Sequence, residues 1–457
     1  MKAAVIGLGV EGKKATKSLL INGWDVYATD LDTNIDLEEL VSSDFDYNFS
    51  INQKKLKIAN ENLTIDLGFN DNEIINNCDA VVLSPSLWNT KLAKKILSSN
   101  KLISDILVNH KNTFTIGITG TNGKTTTVTM LKEILESAGK KVFIGGNAGG
   151  GFNGYCDLIL ETQKDFYDII IIEVCDMTLA FCDYTFDFDL IGLTNIANDH
   201  MNVHGSLENY KNSVLEFSKN KTLFLDKDLP CLDEFNNEFN NEFDNEFDNE
   251  FDNEFDNEFD NEFHNDILTF TEFTNELKVF GKFNRLNAGL ASSIAKYLNI
   301  NNEIIQNTLK NFEAIEGRLK TFKLNDSTIF IGKTDNSHAV KSLLEEKNFY
   351  AIFIGTPRFN EEHRLDILNE VAYSNPEVIV LFPGLDDTVD HALYRLKSIA
   401  YEGRIEVVNN LNDIITLLAE YSHEEAIFIG GNGQDTIIEI QERLELLTDS
   451  CGNSDTC

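Results

Sequence analysis

Short apolar runs punctuate the chain at residues 3–6, 26–29, 80–83, 116–119, 141–144, 169–173 and 190–194, and again at 329–331, 351–354, 378–382 and 426–429. Helical stretches separate most of them. Strands alternating with helices predict parallel sheets covered by helices on both faces, an α/β fold. At 457 residues the chain is too long for one core. Boundaries near 109–112 and 317 give three α/β domains, 1–110, 111–316 and 317–457.

One segment breaks the alternation. Between 233 and 263 the pair Glu-Phe recurs every four residues, spaced by Asn-Asn or Asp-Asn. A four-residue step overshoots a helical turn, so the phenylalanines drift around a helix without making one face. Eight Glu and six Asp stand there with no Lys or Arg, and like charges repel. The segment reads as a low-complexity surface insertion, disordered or loosely helical. It holds −14 of the net charge of −37 and leaves −23 elsewhere. So acidic a chain is not built for nucleic acid, whose phosphates attract basic surfaces.

The hydrophobic fraction is 42%, with no apolar run near membrane-spanning length. The chain starts directly on a strand-like run, which leaves no room for a leader peptide. Seven cysteines, at 78, 156, 175, 182, 231, 451 and 457, form no CxxC pair. A reducing cytoplasm is the expected compartment. Cys175 and Cys182, seven apart, are expected to share a helical face as core residues.

The run 119–127 reads Thr-Gly-Thr-Asn-Gly-Lys-Thr-Thr-Thr and follows the strand Phe-Thr-Ile-Gly-Ile. A glycine-rich turn between a buried strand and a helix aims several N–H groups at one anion, and a lysine inside the helix adds a full charge. Gly120, Thr121, Asn122, Gly123 and Thr126 form the cradle expected for ATP. Lys124 is expected on its β- and γ-phosphates, and the Thr125 or Thr126 hydroxyl on Mg²⁺. Ile118 occupies the place of the first glycine in the usual GxxxxGK[ST] pattern.

Glu173 ends the strand 169–173, where a carboxylate can reach a metal on the γ-phosphate side. Beyond the next strand comes Asn195-Ile-Ala-Asn-Asp-His200-Met-Asn-Val-His204-Gly205. His200 is a candidate for a second Mg²⁺ or for the transferring phosphoryl group. His-x₃-His without Cys or a third His is poor for zinc. Near the start, Gly7-Leu-Gly9-Val-Glu-Gly12 follows a strand and opens a helix, and Asp30 closes the next strand. That is a dinucleotide fingerprint with an acid placed for a ribose. Such a turn also receives other phosphates or carboxylates. Ser84-Pro-Ser86-Leu-Trp88, at a third strand end, is a second candidate ligand position.

In this order the motifs resemble the Mur ligase superfamily, which includes folylpolyglutamate synthase, over essentially the whole chain. The residues carrying the resemblance are Thr119-Gly-Thr-Asn-Gly-Lys-Thr125, Gly145-Gly-Asn-Ala-Gly149, Glu173 and Asp199-His-Met-Asn-Val-His-Gly205. Gly281-Lys-Phe-Asn-Arg-Leu-Asn287, Glu316-Gly-Arg318 and Asp335-Asn-Ser-His338 complete them. The resemblance implies a Rossmann-like N-terminal domain, a P-loop central ATPase domain and a Rossmann-like C-terminal domain. It implies ATP and Mg²⁺ as cofactors, Lys124 on the phosphates, Thr125 and Glu173 on Mg²⁺ and His200 on a second Mg²⁺. Asn287 is then expected at the adenine, with Arg318 and Asp335 at the nucleotide.

The pattern departs from the family in places. Asn202 stands where many members have Asp, Phe283 where many have His, and Lys320 where an acid is frequent. Val214 takes the place of a lysine that many members carbamylate to bridge two Mg²⁺. Gly355-Thr-Pro-Arg358, Phe382-Pro-Gly-Leu-Asp-Asp-Thr388 and Gly430-Gly-Asn-Gly-Gln434 are signatures of the last domain alone. With Ser84-Pro-Ser-Leu-Trp88 they look most like the archaeal branch of coenzyme F(430) synthetases. Those ligases use ATP to close a carbocyclic ring on a nickel tetrapyrrole.

The expected activity is an ADP-forming ligation through an acyl phosphate on a small-molecule carboxylate, by a monomer acting without nucleic acid or membrane. Arg318, Lys333, Arg358 and Arg364 are candidate cations for a tetrapyrrole's carboxylates, or else surface salt bridges. A pseudomurein peptide ligase, which adds an amino acid, is the alternative. An NAD-dependent oxidoreductase built on the 7–12 turn is a distant one and leaves 119–127 unexplained. A nucleotide-gated binding protein without turnover is a third.

Overall fold

The computed structural model describes residues 1–38, 40, 48–52, 55–59, 62–148, 151–198, 200–236, 266–359, 361–424 and 426–452. These contain eighteen strands in three six-stranded sheets. The first sheet comprises β1 (Lys2–Ile6), β2 (Asp25–Asp30), β3 (Asn48–Asn52), β4 (Lys55–Ala59), β5 (Leu63–Leu67) and β6 (Ala80–Leu83), in the order β3-β4-β5-β2-β1-β6. The second comprises β7 (Phe114–Thr119), β8 (Val142–Gly146), β9 (Ile169–Glu173), β10 (Leu190–Leu193), β11 (Thr222–Asp226) and β12 (Ile267–Phe270), in the order β12-β11-β10-β7-β9-β8. The third comprises β13 (Lys320–Leu324), β14 (Ser327–Ile331), β15 (Ala351–Gly355), β16 (Val378–Phe382), β17 (Arg404–Val407) and β18 (Ala426–Gly431), in the order β13-β14-β18-β15-β16-β17.

Every strand expected from the apolar runs is present. The second sheet is parallel throughout. The other two are not. β3, β4 and β5 pair antiparallel, and so do β13 and β14. Only two residues separate β13 from β14, with Asn325 left-handed at φ 49°. So short a link reverses the chain, whereas a parallel neighbour needs a long crossover.

Strand composition explains the layering. β9 is Ile-Ile-Ile-Ile-Glu and buried throughout. Helices cover a parallel sheet on both faces, so its central strands are apolar on both sides. β13 is Lys-Thr-Phe-Lys-Leu, alternately half-buried and exposed at the sheet edge, where charged side chains blunt further pairing.

The described residues divide into two compact units. One holds residues 1–196, 200–271 and 290–304, with the first two sheets; the other holds 197–199, 272–289 and 305–457, with the third. Among the described residues no helix is long and apolar enough to cross a membrane.

Two expectations need correction. The acidic repeat was expected to lie on the surface from its first unit. Residues 232–236 are helical, Phe235 is fully buried in the core that includes Leu229 and Cys231, and Glu234 pairs with Lys211. One ring with an apolar site to fill and one carboxylate with a cation to meet anchor that unit. The repeat from 237 onward lies outside the described residues. Cys175 and Cys182 do not share a helical face: Cys175 precedes a single 3₁₀ turn at Asp176–Thr178, and Cys182 lies in the helix Leu179–Thr185. Cys182 is buried in the core and Cys175 is half-buried, and burial chiefly pushes both thiols up to about 12.

Candidate nucleotide and metal site

β7 delivers the chain into the 119–127 turn, and the helix Lys124–Ser137 leads it out. Two glycines make the turn possible. Gly120 has φ 126°, and a Cβ there would lie 2.2 Å from Thr194 Oγ1; Gly123 caps the helix left-handed at φ 88°. Asn195, just beyond β10, holds the turn from the side. Its carbonyl accepts from the Thr121 N–H at 3.0 Å and its Oδ1 from the Asn122 N–H at 3.0 Å, while its Nδ2 donates to the Asn122 carbonyl at 2.9 Å. The Lys124 ammonium folds back onto the Gly120 and Thr121 carbonyls. Thr125 and Thr126 follow in the first helical turn, Thr125 buried.

Parallel pairing sets Glu173 opposite Ile118 on one side and Gly146 on the other. Its carboxylate is buried. Oε1 accepts from Asn147 Nδ2 at 2.9 Å, and Oε2 has no hydrogen-bond partner. An anionic oxygen buried without a partner is costly, and a bound cation supplies what it lacks. A hard divalent ion held by one carboxylate, a hydroxyl and phosphate oxygens suits this donor set, since Mg²⁺ keeps several waters. Among the described residues no group of three or more His, Cys, Asp or Glu could hold a metal ion. Glu173 and Thr125 fit Mg²⁺.

Asp176 escaped the sequence reading as a site residue. It lies one 3₁₀ turn past β9, with its carboxylate buried, Oδ2 2.9 Å from His204 Nε2 and Oδ1 3.9 Å from the Lys124 ammonium. Burial raises its pKa, but the His204 hydrogen bond and the charges of Lys124 and His200 outweigh that and hold it at about 2. Asp176 is therefore a fixed negative charge beside the lysine of the phosphate loop. His204 is stacked on Tyr210 at 4.6 Å between ring centroids, and Ser206 caps the helix Leu207–Ser218 that carries Tyr210. His200 is left-handed at φ 50° and opens the short helix Met201–His204. That conformation is uncommon for a non-glycine residue and concentrates at functional sites.

The structure brings Gly120, Thr121, Asn122, Gly123, Lys124, Thr125, Thr126, Glu173 and His200 into the first unit. Val214 is buried in its core, so nothing at that position bridges metals. Lys211, one turn earlier, pairs with Glu208 and Glu234. Asn287, Arg318 and Asp335 belong to the second unit. Asn287 is buried, with Nδ2 3.5 Å from Asn284 Oδ1. Gln441, another residue the sequence did not mark, accepts from the Gly317 N–H and donates to the Arg318 carbonyl, both at 2.8 Å. Asp335 pairs with Lys333 at 3.2 Å and Arg364 at 2.7 Å. Burial raises its pKa, yet those two cations hold it well below the usual carboxylate range. Arg364 also donates to Asn432, which is fully buried in the loop after β18.

The 7–12 turn packs closely. A Cβ on Gly12 would lie 1.8 Å from the Gly7 carbonyl oxygen, and one on Gly7 would lie 2.6 Å from Ser84 Cβ. Asp30, expected at a ribose, holds the turn itself: it accepts from the Leu8 N–H at 2.6 Å and from the Asp32 N–H at 2.9 Å. Ser84 and Trp88 sit beside this turn and the middle domain, Trp88 packing edge-on against Phe181. A cavity there is lined by Glu11, Gly12, Ser84, Tyr155 and Phe181.

Comparison with known proteins places this geometry. Residues 118–295 match the Mur ligase middle domain. UDP-N-acetylmuramoylalanine--D-glutamate ligase from Wolbachia pipientis wMel is 34% identical over 214 residues, 45% of this chain and 36% of that protein. The enzyme of the same description from Alkaliphilus metalliredigens is 25% identical over 356 residues, 75% of this chain and 74% of that one. A pseudomurein peptide ligase type C from Methanothermus fervidus shares the fold, with a TM-score of 0.53 and 20% identity across 97% of this chain and 99% of that one. Residues 118–295 thus match the middle domain of Mur ligases, and the fold around them is the one seen in Mur ligase structures.

Proposed function

We propose that this chain activates a small-molecule carboxylate with ATP as an acyl phosphate and passes the acyl group to an amine, adding an amino acid. The observation that carries the proposal is the pairing of the Lys124 loop with Glu173, whose buried Oε2 has no partner. A carboxylate lacks a good leaving group. Attack of one of its oxygens on the γ-phosphorus breaks the bond to ADP and makes phosphate the leaving group; an amine then displaces it.

The chain's own residues supply position and charge. The 119–127 N–H groups and the Lys124 ammonium, swung off the loop carbonyls it now caps, neutralise the transferring phosphoryl group. Asp176 holds that ammonium close, and His204 keeps Asp176 in place. Glu173 and Thr125 would hold Mg²⁺, with His200 at a second ion. Bound there, Mg²⁺ supplies Lewis-acid charge neutralisation on the phosphate oxygens. In the second unit, Lys333, Asp335, Arg364 and Asn432 gather at the carboxyl ends of β14 and β18, the position where open α/β sheets take ligands. We assign the amine-bearing substrate to that cluster.

Amide formation is favoured over ring closure on a nickel tetrapyrrole. The curated relatives are amino-acid-adding ligases by their descriptions. Of the cations expected for a tetrapyrrole, Lys333 and Arg364 are paired with Asp335, and Arg358 lies exposed beside Glu361. The test is ADP release from MgATP with a panel of carboxylate acceptors, with and without amino acids. Release that requires an amino acid supports this reading. Release that ignores amino acids and follows the nickel tetrapyrrole establishes the coenzyme F(430) reading in its place.

A further inference from the structure

The helix Val10–Ile21 leaves the 7–12 turn and presents Glu11, Lys14 and Ser18 along one face. All three meet the 147–157 segment of the middle domain. Glu11 Oε1 accepts from the Ala148 N–H at 2.9 Å and Oε2 from the Tyr155 N–H at 3.3 Å. Lys14 donates to the Phe152 carbonyl at 2.6 Å, and Ser18 bonds Asp157. The fit around the Glu11 carboxylate is tight, since a Cβ on Gly154 would stand 2.6 Å from Oε2. Lys14 and Ser18 bond Phe152 and Asp157 and not the Asn147–Ala148 peptide. Glu11 is different, because the peptide it holds follows Asn147, and Asn147 Nδ2 bonds Glu173 Oε1.

We propose that Glu11 is a positioning residue for the metal site: by fixing the Ala148 peptide it aims the Asn147 amide, which sets the Glu173 carboxylate with Oε2 turned toward the cation. This rests on the reading of Glu173 as a Mg²⁺ ligand. Groups that orient a metal ligand through a hydrogen bond change metal affinity about 10- to 100-fold when removed. Two converging N–H donors take two acceptor oxygens, which Glu11 supplies and a Gln side chain does not. The glycine turn and the metal carboxylate are thereby joined by one side chain.

The test uses the full chain and ADP as probe, titrated with and without Mg²⁺ and followed by calorimetry. For Glu11→Ala the expected result is ADP affinity unchanged without Mg²⁺ and 10- to 100-fold weaker with it, with Glu11→Gln intermediate. Asn147→Ala gives the same loss, and the double variant Glu11→Ala/Asn147→Ala loses no more than either single one, as residues acting in series must. Lys14→Ala, which loosens the same domain contact without touching Ala148, leaves the Mg²⁺-dependent affinity as it is. The proposal is overturned if Lys14→Ala and Glu11→Ala weaken it equally, if Glu11 and Asn147 losses multiply, or if Glu11→Gln keeps full Mg²⁺-dependent affinity. Glu173→Gln separates the two levels. No Mg²⁺ effect there removes the metal reading itself; an effect there but none at Glu11 removes this proposal alone.

Discussion

Replacing Glu173 by Gln separates stability from function in a way that follows from its two oxygens. In the ligand-free protein Oε1 is bonded by Asn147 and Oε2 is buried without a partner. An unsatisfied buried acceptor costs about 1–3 kcal/mol, more when it is charged. Gln keeps the Oε1 acceptor for Asn147 and removes the charge, so the ligand-free variant should melt no lower than the wild type. The nucleotide complex behaves oppositely. A ligand at about 100 times its Kd stabilises the wild type by about 2.7 kcal/mol. If losing the carboxylate weakens Mg²⁺-nucleotide binding about 100-fold, the same ligand concentration sits near Kd and contributes only about 0.4 kcal/mol. For a unit of this size the difference is a loss of about 4 °C in the shift that MgADP produces. Thermal melts with no ligand, ADP plus chelator, and MgADP read all three states. A Glu173→Gln protein that keeps the full MgADP shift, or melts several degrees below wild type without ligand, refutes the reasoning.

Asp176→Asn tests the charge beside Lys124. Because the folded-state pKa of about 2 lies below the ordinary carboxylate value, Asp176 contributes stability that is fully present above about pH 4 and is lost as pH falls through 2. The shift is worth roughly 2–3 kcal/mol at neutral pH and about half of that at pH 3. Urea unfolding of wild type and variant at both pH values should show that narrowing gap; a pH-independent difference contradicts the assignment. Gly12→Ala forces a Cβ to within 1.8 Å of the Gly7 carbonyl, so the turn must open at a cost of about 3 kcal/mol or more. Circular dichroism melts should show an earlier transition, and an unchanged melt would mean that the turn is not held closed.

The sequence made the central sheet and the phosphate loop legible for local reasons. Runs such as Ile169-Ile-Ile-Ile are apolar on both faces, which only a doubly covered strand satisfies. Glu173 is fixed by position at a strand end and Lys124 at a helix start. What stayed hidden depends on contacts between distant segments. Asp176 takes its role from His204, 28 positions later, and Gln441 from Gly317, 124 positions earlier. Glu11 occupied a variable place inside the glycine turn, and its meaning comes from Ala148 and Tyr155. The edge strands β3 (Asn-Phe-Ser-Ile-Asn) and β13 (Lys-Thr-Phe-Lys-Leu) were missed because they mix polar and apolar positions. An acid at the end of β2 can serve either a ribose or the turn itself, and only the fold shows that the Leu8 amide takes one Asp30 oxygen.

The central claim is that a substrate carboxylate is phosphorylated by ATP held at Lys124. Oxygen-18 placed in the carboxylate of the acceptor identified by ADP release tests it most directly. Attack on the γ-phosphorus leaves one labelled oxygen bridging to phosphate, and displacement by the amine carries that oxygen away. Each inorganic phosphate released by the wild type is expected to hold one oxygen-18, and Lys124→Ala to release no labelled phosphate. Unlabelled phosphate from a wild type that still forms product would contradict it.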